Sequence, residues 1–371
     1  MQIWIVVFAI GAAQALLLAV ALWQRRVNPQ ANRVLAAWLA IVGVDLATKA
    51  LYLATPGPGL LSAYRLVALF PFLYGSMFYL YVRALITGRA FALRDLVHLA
   101  GYALVLALTL PLFFLDPGRT TALFANWSGE HWPPRWFNPF LYVYSLSYVI
   151  AALTSVHRYR KRLRQRRSDA DRMLLRWVDA MAVGQIVIWG IAAAVTLANR
   201  MHGEYYIFCA VAAWVCVVGW FSLGQPPVVE VQARPEDADA TEDTPDDDAR
   251  FPAVEARLSQ LMEGEALYRE PALTIGQVAR RSGYPEYLVS AVINRRLGGT
   301  FWEYISRQRV QASRACLADS GDARTILDIA YACGFTSKST FNAAFKRHVG
   351  QTPSMYRQQH AQASVKASSG S

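Results

Sequence analysis

Apolar and polar positions divide the chain near residue 223. Before that point lie seven apolar runs, at 3–23, 34–54, 62–86, 96–115, 137–157, 174–198 and 205–223. Each is close to the ~20 residues a helix needs to cross a ~30 Å hydrocarbon layer. Seven membrane-spanning helices are therefore expected, with Pro71 and Pro111 kinking the third and fourth. After residue 252 the apolar residues recur at helical spacing in short stretches punctuated by glycine, a pattern of small amphipathic helices. The expected fold class is all-α.

The loops between the runs alternate in charge. Arg25, Arg26 and Arg33 follow the first run, Arg89 and Arg94 the third, and HRYRKRLRQRR (157–167) with Arg172 the fifth. The loops at 55–61, 116–136 and 199–204 are poor in charge, and the longest carries Trp127, Trp132 and Trp136, an interfacial signature. Basic loops stay on the cytoplasmic side, so the N-terminus is expected outside and the C-terminus in the cytoplasm. The first run has no basic residue before it and two arginines after it, the reverse of a secretory signal, so it is expected to remain as the first span. The basic 157–167 loop is accounted for by topology and anionic lipid.

The net charge of +11 conceals three environments: +12 over residues 1–223, −7 over 224–252 and +6 over 253–371. The middle segment holds nine acidic side chains and five prolines and is expected to be a disordered linker. The tail, 361–371, is expected to be disordered too. The four cysteines show no zinc-like spacing, and neither a metal site nor a cofactor is expected.

Within 253–360 one pattern occurs twice. LTIGQVARRSGYPEYLVSAVINRRLGGTFWEY (273–304) aligns with ILDIAYACGFTSKSTFNAAFKRHVGQTPSMYR (326–357). Ile275, Val278, Ala279 and Gly283 meet Ile326, Ile329, Ala330 and Gly334; after one extra residue in the second copy, Val289 and Ile293 meet Phe341 and Phe345. In each copy a small alanine lets a second helix approach, and a glycine supplies a positive φ for the turn. Val289, Val292 and Ile293, and Phe341, Ala344 and Phe345, are expected in the core, leaving the opposite face of each second helix free. The stretch FWEYISRQRVQASRACL (301–317) joins the copies as a helix of roughly 25 Å.

IAYACGF, STFNAAFKRHVGQTPSMYR, YISRQRVQASRACL and LTIGQVARRSGY resemble the double helix-turn-helix domain of the AraC/XylS family of bacterial transcription regulators. The resemblance covers about 271–357 and is most specific in the second copy. It implies that the second helix of each copy enters the major groove of double-stranded DNA. The matching positions are Tyr287, Ser290, Ala291, Asn294, Arg295 and Arg296 in the first copy and Lys338, Ser339, Asn342, Ala343, Lys346 and Arg347 in the second. Asn342 suits adenine and Lys338 suits guanine, whereas Arg295, Arg296, Lys346 and Arg347 suit phosphates. Ala291 and Ala343 stand where long polar side chains would read bases, which leaves part of the specificity to methyl contacts or DNA shape.

Ionisable residues inside a span are costly and mark candidate sites. Asp45 and Lys49 lie one helical turn apart in the second run. With Arg65 they outline either an outward-opening pocket for a small acidic or amphiphilic molecule or an internal salt bridge that fixes packing. The expected protein is a one-component sensor and transcription regulator in the bacterial inner membrane, not an enzyme. It is expected to act as a homodimer on promoter sites, with the bilayer, RNA polymerase and an unidentified small-molecule or membrane signal as further partners. The competing class is an intramembrane transporter or enzyme with an attached regulatory domain. Against it, no paired carboxylates, histidine cluster or nucleophile beside a base stand out in the runs.

Overall fold

The computed structural model describes residues 2–113, 137–170, 175–198, 203–225, 227–228, 245–319 and 321–369. The fold is all-α, and among the described residues the one β feature is an isolated antiparallel bridge between Arg167 and Thr274. The chain sorts into two compact units, 1–157 with 175–230, and 158–174 with 231–371. The expected loop 116–136 and most of the expected linker lie outside the described residues.

The first unit contains α1 (Gln2–Trp23), α2 (Pro29–Ala54), α3 (Pro58–Val67), α4 (Pro71–Thr87) and α5 (Ala100–Phe113), the last preceded by a 3-10 turn at Leu93–Leu99. It continues with α6 (Phe137–Arg166), α7 (Arg176–Leu197) and α8 (Glu204–Leu223). Among the described residues six helices are long and apolar enough to cross a membrane, or seven if the bent pair α3 and α4 counts as one span. That pair bends by 43° at the expected proline. Pro71 has no N–H for the carbonyl of Val67 and its ring crowds that carbonyl, so the chain passes through two tighter turns, Phe72 to Leu69 and Leu73 to Phe70. Pro111 lies near the end of α5, at the edge of the described residues.

α1 packs along α2 and α8, α2 also meets α4, and α7 meets α8. Trp38 of α2 is fully buried, with ring centroids 4.8 Å from Trp214 and 6.1 Å from Phe78. At Gly75 of α4 an added Cβ would sit 2.7 Å from the carbonyl oxygen of Ser145, so glycine is what lets α6 come this close. The outward faces are apolar as well: Ile10 is 61% exposed, Leu17 72% and Trp220 82%. One end of the unit is tied by polar contacts. Arg25 donates to the carbonyls of Ser222 (2.6 Å) and Gln225 (3.1 Å), and the Val228 N–H donates to the Asn28 side chain (2.9 Å). The Tyr81 hydroxyl accepts from Trp177 (3.2 Å) and Gln225 (2.9 Å). The start of the expected linker is thereby anchored to this unit.

The second unit contains α9 (Pro245–Glu263), α10 (Ile275–Ser282), α11 (Glu286–Arg295), α12 (Phe301–Ala318), α13 (Ile326–Ala332), α14 (Lys338–Val349) and α15 (Pro353–Ser369). Two expectations are corrected here. The linker was expected to run to 252, but α9 begins at 245, because Phe251, Val254, Leu258, Leu261 and Met262 form an apolar stripe that packs on α10 and α11. The tail was expected to be disordered from 361, but α15 continues to Ser369, through a stretch with no glycine or proline to stop it before Gly370. Residues 158–174 also sort with this unit, and α6 runs to Arg166, past the expected end at 157.

Two cores share one helix. Phe301 and Ile305 of α12 complete a core with Val278, Val289, Val292 and Ile293. Val310 and Leu317, further along α12, complete a second core with Ile329, Ala330, Phe341 and Phe345. Helix α12 therefore fixes one helix-turn-helix copy to the other.

Candidate nucleic-acid interface

Both copies start on a threonine cap. Thr274 accepts from the Gln277 N–H and Thr325 from the Asp328 N–H, with the Gln277 and Asp328 side chains reaching back to close each box. Thr300 and Glu303 do the same at the start of α12, and these hydrogen bonds from Thr300 hold the Glu303 carboxyl below the ordinary range. The turns rest on Gly283 (φ 79°) and Gly334 (φ 88°), both in the left-handed region. Gly334 is constrained twice, since an added Cβ would also lie 2.6 Å from the carbonyl oxygen of Tyr268.

Helices α11 and α14 then follow, with one face each in a core. Val289, Val292 and Ile293 are fully buried, as are Phe341 and Phe345, with Ala344 nearly so. On the other face Tyr287, Asn294, Arg295 and Arg296 are exposed, while Ser290 and Ala291 are half-buried. In α14 Lys338, Ser339, Asn342, Ala343, Lys346 and Arg347 are all exposed. The structure thus brings the sequence-picked residues together as two outer helix faces.

The two faces differ in their electrostatics. Arg296 donates to Glu255 at 2.6 Å, and Arg295 lies 3.6 Å from Asp248 and over the Phe251 ring. Asn294 donates to Ser290 at 3.2 Å. By contrast, among the described residues no hydrogen bond or ion pair joins Lys338, Asn342 or Lys346 to another side chain. Those three groups are available to a ligand. Arg347 lies over the Trp302 ring, 4.7 Å from its centroid.

Some structurally important polar groups were not picked out in the sequence. Arg309 of α12 is only 2% exposed and donates to the carbonyls of Tyr268 (2.8 Å), Glu270 (2.7 Å) and Pro271 (3.3 Å) and to the Ser168 hydroxyl (3.1 Å). Burial pulls its guanidinium down to about 10. In a run such as SRQRVQASR it looks like any other solvated arginine; its place on the Ile305 and Val310 side of the helix is the one clue.

In the first unit Asp45 and Lys49 are both buried and ion-paired, and the Tyr74 hydroxyl donates to Asp45 at 2.6 Å. Lys49 also lies 3.8 Å over the Phe208 ring. A cavity of about 40 Å³ beside them is lined by Asp45, Tyr74, Gln185 and tryptophans, and neither Lys49 nor Arg65 lines it. Arg65, on α3, is half-buried. The space falls far short of the roughly 300 Å³ of a typical small-molecule site. Among the described residues no group of three His, Cys, Asp or Glu is placed to hold a metal ion.

Residues 278–359 match a family described as a helix-turn-helix domain. A probable transcription factor PqrA of Proteus vulgaris is 32% identical over 92 residues, which is 25% of this chain and 74% of that protein. The melibiose operon regulatory protein of Escherichia coli is 34% identical over 100 residues, 27% of this chain and 32% of its own length. The right origin-binding protein of Escherichia coli is 35% identical over 85 residues, 23% of this chain and 29% of its own. The chain thus spans less than a third of the last two relatives. No solved structure matches.

Proposed function

Because the chain belongs to the AraC/XylS family of transcription regulators, we propose that it is a one-component regulator held in the bacterial inner membrane, which couples a signal at the membrane to promoter binding. DNA binding and transcription regulation follow from the family; membrane embedding and sensing are the proposed part. The observation that carries them is the pairing in one chain of up to seven span-length apolar helices, apolar on their outward faces, with a double helix-turn-helix. Exposed side chains such as Leu17 and Trp220 are costly against water and free of cost against lipid.

On DNA, α11 and α14 enter successive major-groove turns. Helix α12 has 18 residues, about 27 Å at 1.5 Å per residue. That is the scale needed to hold two helices about one DNA turn, ~34 Å, apart. Asn342 and Lys338 read adenine and guanine edges, while Lys346 and Arg347 fix the register on phosphates. Arg295 and Arg296 start from carboxylate partners, so the first copy contributes mainly position. Copies of the chain pair as a homodimer on adjacent sites and meet RNA polymerase at the promoter. In the membrane, Asp45, Lys49 and Tyr74 form a packed polar node, and an acidic or amphiphilic signal would register there only by opening the bundle and competing with Asp45 for Lys49. Arg65, half-buried on α3, is the further cation proposed for that signal.

Two measurements in cells test this reading. Alkaline extraction is expected to leave the full chain in the membrane fraction. Reporter fusions are expected to place residue 57 outside and residue 228 in the cytoplasm. Release of the chain by alkali, or the opposite polarity of the two fusions, would overturn the proposal.

A further inference from the structure

The basic run 157–167 invites a lipid reading that explains its arginines and leaves the next residues unexplained. Those residues are the better built. Residues 158–174 sort with the DNA-binding unit, and within it 163–170 form a seated segment. Leu163 and Ala170 are fully buried. The Ser168 N–H donates to the Leu273 carbonyl at 2.9 Å, while Arg167 and Thr274 face each other across the antiparallel bridge. The Ser168 hydroxyl accepts from Arg309 at 3.1 Å, both groups being buried. Arg167 is neutralised within the segment by two hydrogen bonds to Asp169, at 2.8 and 3.1 Å, so it carries no free charge for a lipid headgroup. Arg164 lies over the Trp302 ring at 5.1 Å, the same ring that Arg347 of α14 covers.

These contacts reach the first copy and the shared helix. Leu273 and Thr274 form the entry and cap of α10, and Arg309 and Trp302 belong to the shared helix α12, whose Trp302 ring is also covered by Arg347 of α14. A water-sized void lined by Ser168, Asp169, Ser306, Arg309 and Thr340 lies in the same seam. With the segment seated, Lys338, Asn342 and Lys346 remain exposed.

We propose that residues 163–170 are an intramolecular brace for the double helix-turn-helix, and that seating it holds the two copies in the arrangement that binds paired half-sites. The segment begins in the last turn of α6 and leads into α7, so a shift in those helices reaches the DNA-binding unit through this brace as well as through the acidic linker. The inference deepens the proposed function and rests on its DNA-binding part. Seating is compatible with DNA binding, because the base-reading side chains stay uncovered, and it is specific, because it uses a backbone pairing and a buried guanidinium as well as charge.

The test uses the full chain in native membranes and DNA sites selected by the wild-type protein. Opposed residues of an antiparallel bridge have Cα separations within disulfide range. The double variant Arg167→Cys with Thr274→Cys is therefore expected to form an intramolecular crosslink on mild oxidation that neither single variant gives. Ser168→Pro removes the N–H that meets Leu273, and Arg164→Ala removes the cation over Trp302. Each is expected to weaken binding to the paired site about tenfold while leaving binding to the isolated second half-site within about twofold, which also shows that the variants fold. Absence of the crosslink would show that the segment is not seated. A crosslink with unchanged or tighter paired-site binding in both variants would show that seating does not brace the copies. Wild-type membranes that select no sequence at all would instead defeat the DNA-binding reading itself.

Discussion

Asn342 and Lys346 sit one turn apart on α14, exposed and unpaired among the described side chains, yet they are expected to behave differently when removed. A bidentate contact to a base is worth about 1–3 kcal/mol of discrimination, so Asn342→Ala is expected to weaken the selected site roughly 5- to 150-fold and to relax the preference at one base pair. A phosphate contact carries no sequence, so Lys346→Ala is expected to weaken all sequences alike and to lower the slope of log affinity against log salt by about one. Titration of both variants over a salt series, on the selected site and on a scrambled one, separates the two roles. Gly334→Ala tests the turn. The alanine meets both a φ of 88° and a carbonyl oxygen at 2.6 Å, and a strained left-handed residue alone costs about 1–3 kcal/mol. The thermal midpoint of the DNA-binding unit, followed by protease sensitivity in the full chain, is expected to fall by roughly 5 °C or more.

Among the elements, the helices that carry the repeat were legible because two independent signals coincide in each copy. Val289, Val292 and Ile293 recur at helical spacing, and Gly283 stands at the turn; Phe341, Ala344, Phe345 and Gly334 repeat the arrangement. The bend before Pro71 was legible from the proline alone. Helix α9 was hidden, since the acidic residues at 246–248 and two prolines dominate the composition of a stretch whose apolar stripe begins only at Phe251. The α6 extension was hidden for the same reason, because an arginine-rich run shows its charge and conceals that Leu163 is a core residue. Threonine caps were not picked out, although Thr300 followed by Glu303 is a box that the sequence displays. Each cap is expected to contribute about 1 kcal/mol, so Thr325→Ala should destabilise the second copy by that amount in thermal unfolding. The Glu303 contribution also has a pH signature. Its folded pKa is depressed, so the stabilisation is fully present above the ordinary glutamate value and is lost as pH falls through the depressed one.

For the whole molecule, the apolar unit and the DNA-binding unit were separable by composition, whereas the assignment of 158–174 was not. Charge placed that loop on the membrane; backbone pairing to Leu273 and the buried contact to Arg309 assign it to the DNA-binding unit. Asp45 and Lys49 pose the same kind of question inside the apolar unit, where salt bridge and pocket were both readable from a four-residue spacing. The Tyr74 contact and the small cavity favour a packed node. Breaking one side of a buried pair strands the other charge, at a cost of roughly 3–5 kcal/mol. Asp45→Asn alone is therefore expected to lower the membrane level of the chain, and Asp45→Asn with Lys49→Met to restore it. A double variant that stays depleted would contradict a packing role. One that is abundant yet transcriptionally unresponsive would establish the node as the signal site.

Whether the chain reads paired DNA sites while held in a membrane is decided by mapping the DNA crosslinked to the full-length chain in its own cell while following the same chain in the membrane fraction. Discrete sites are expected, each with two half-sites about one helical turn apart, that vanish in Lys338→Ala with Asn342→Ala although the variant remains in the membrane at the wild-type level. Discrete sites that persist in that variant, or that are bound only by chain recovered outside the membrane, would contradict that expectation.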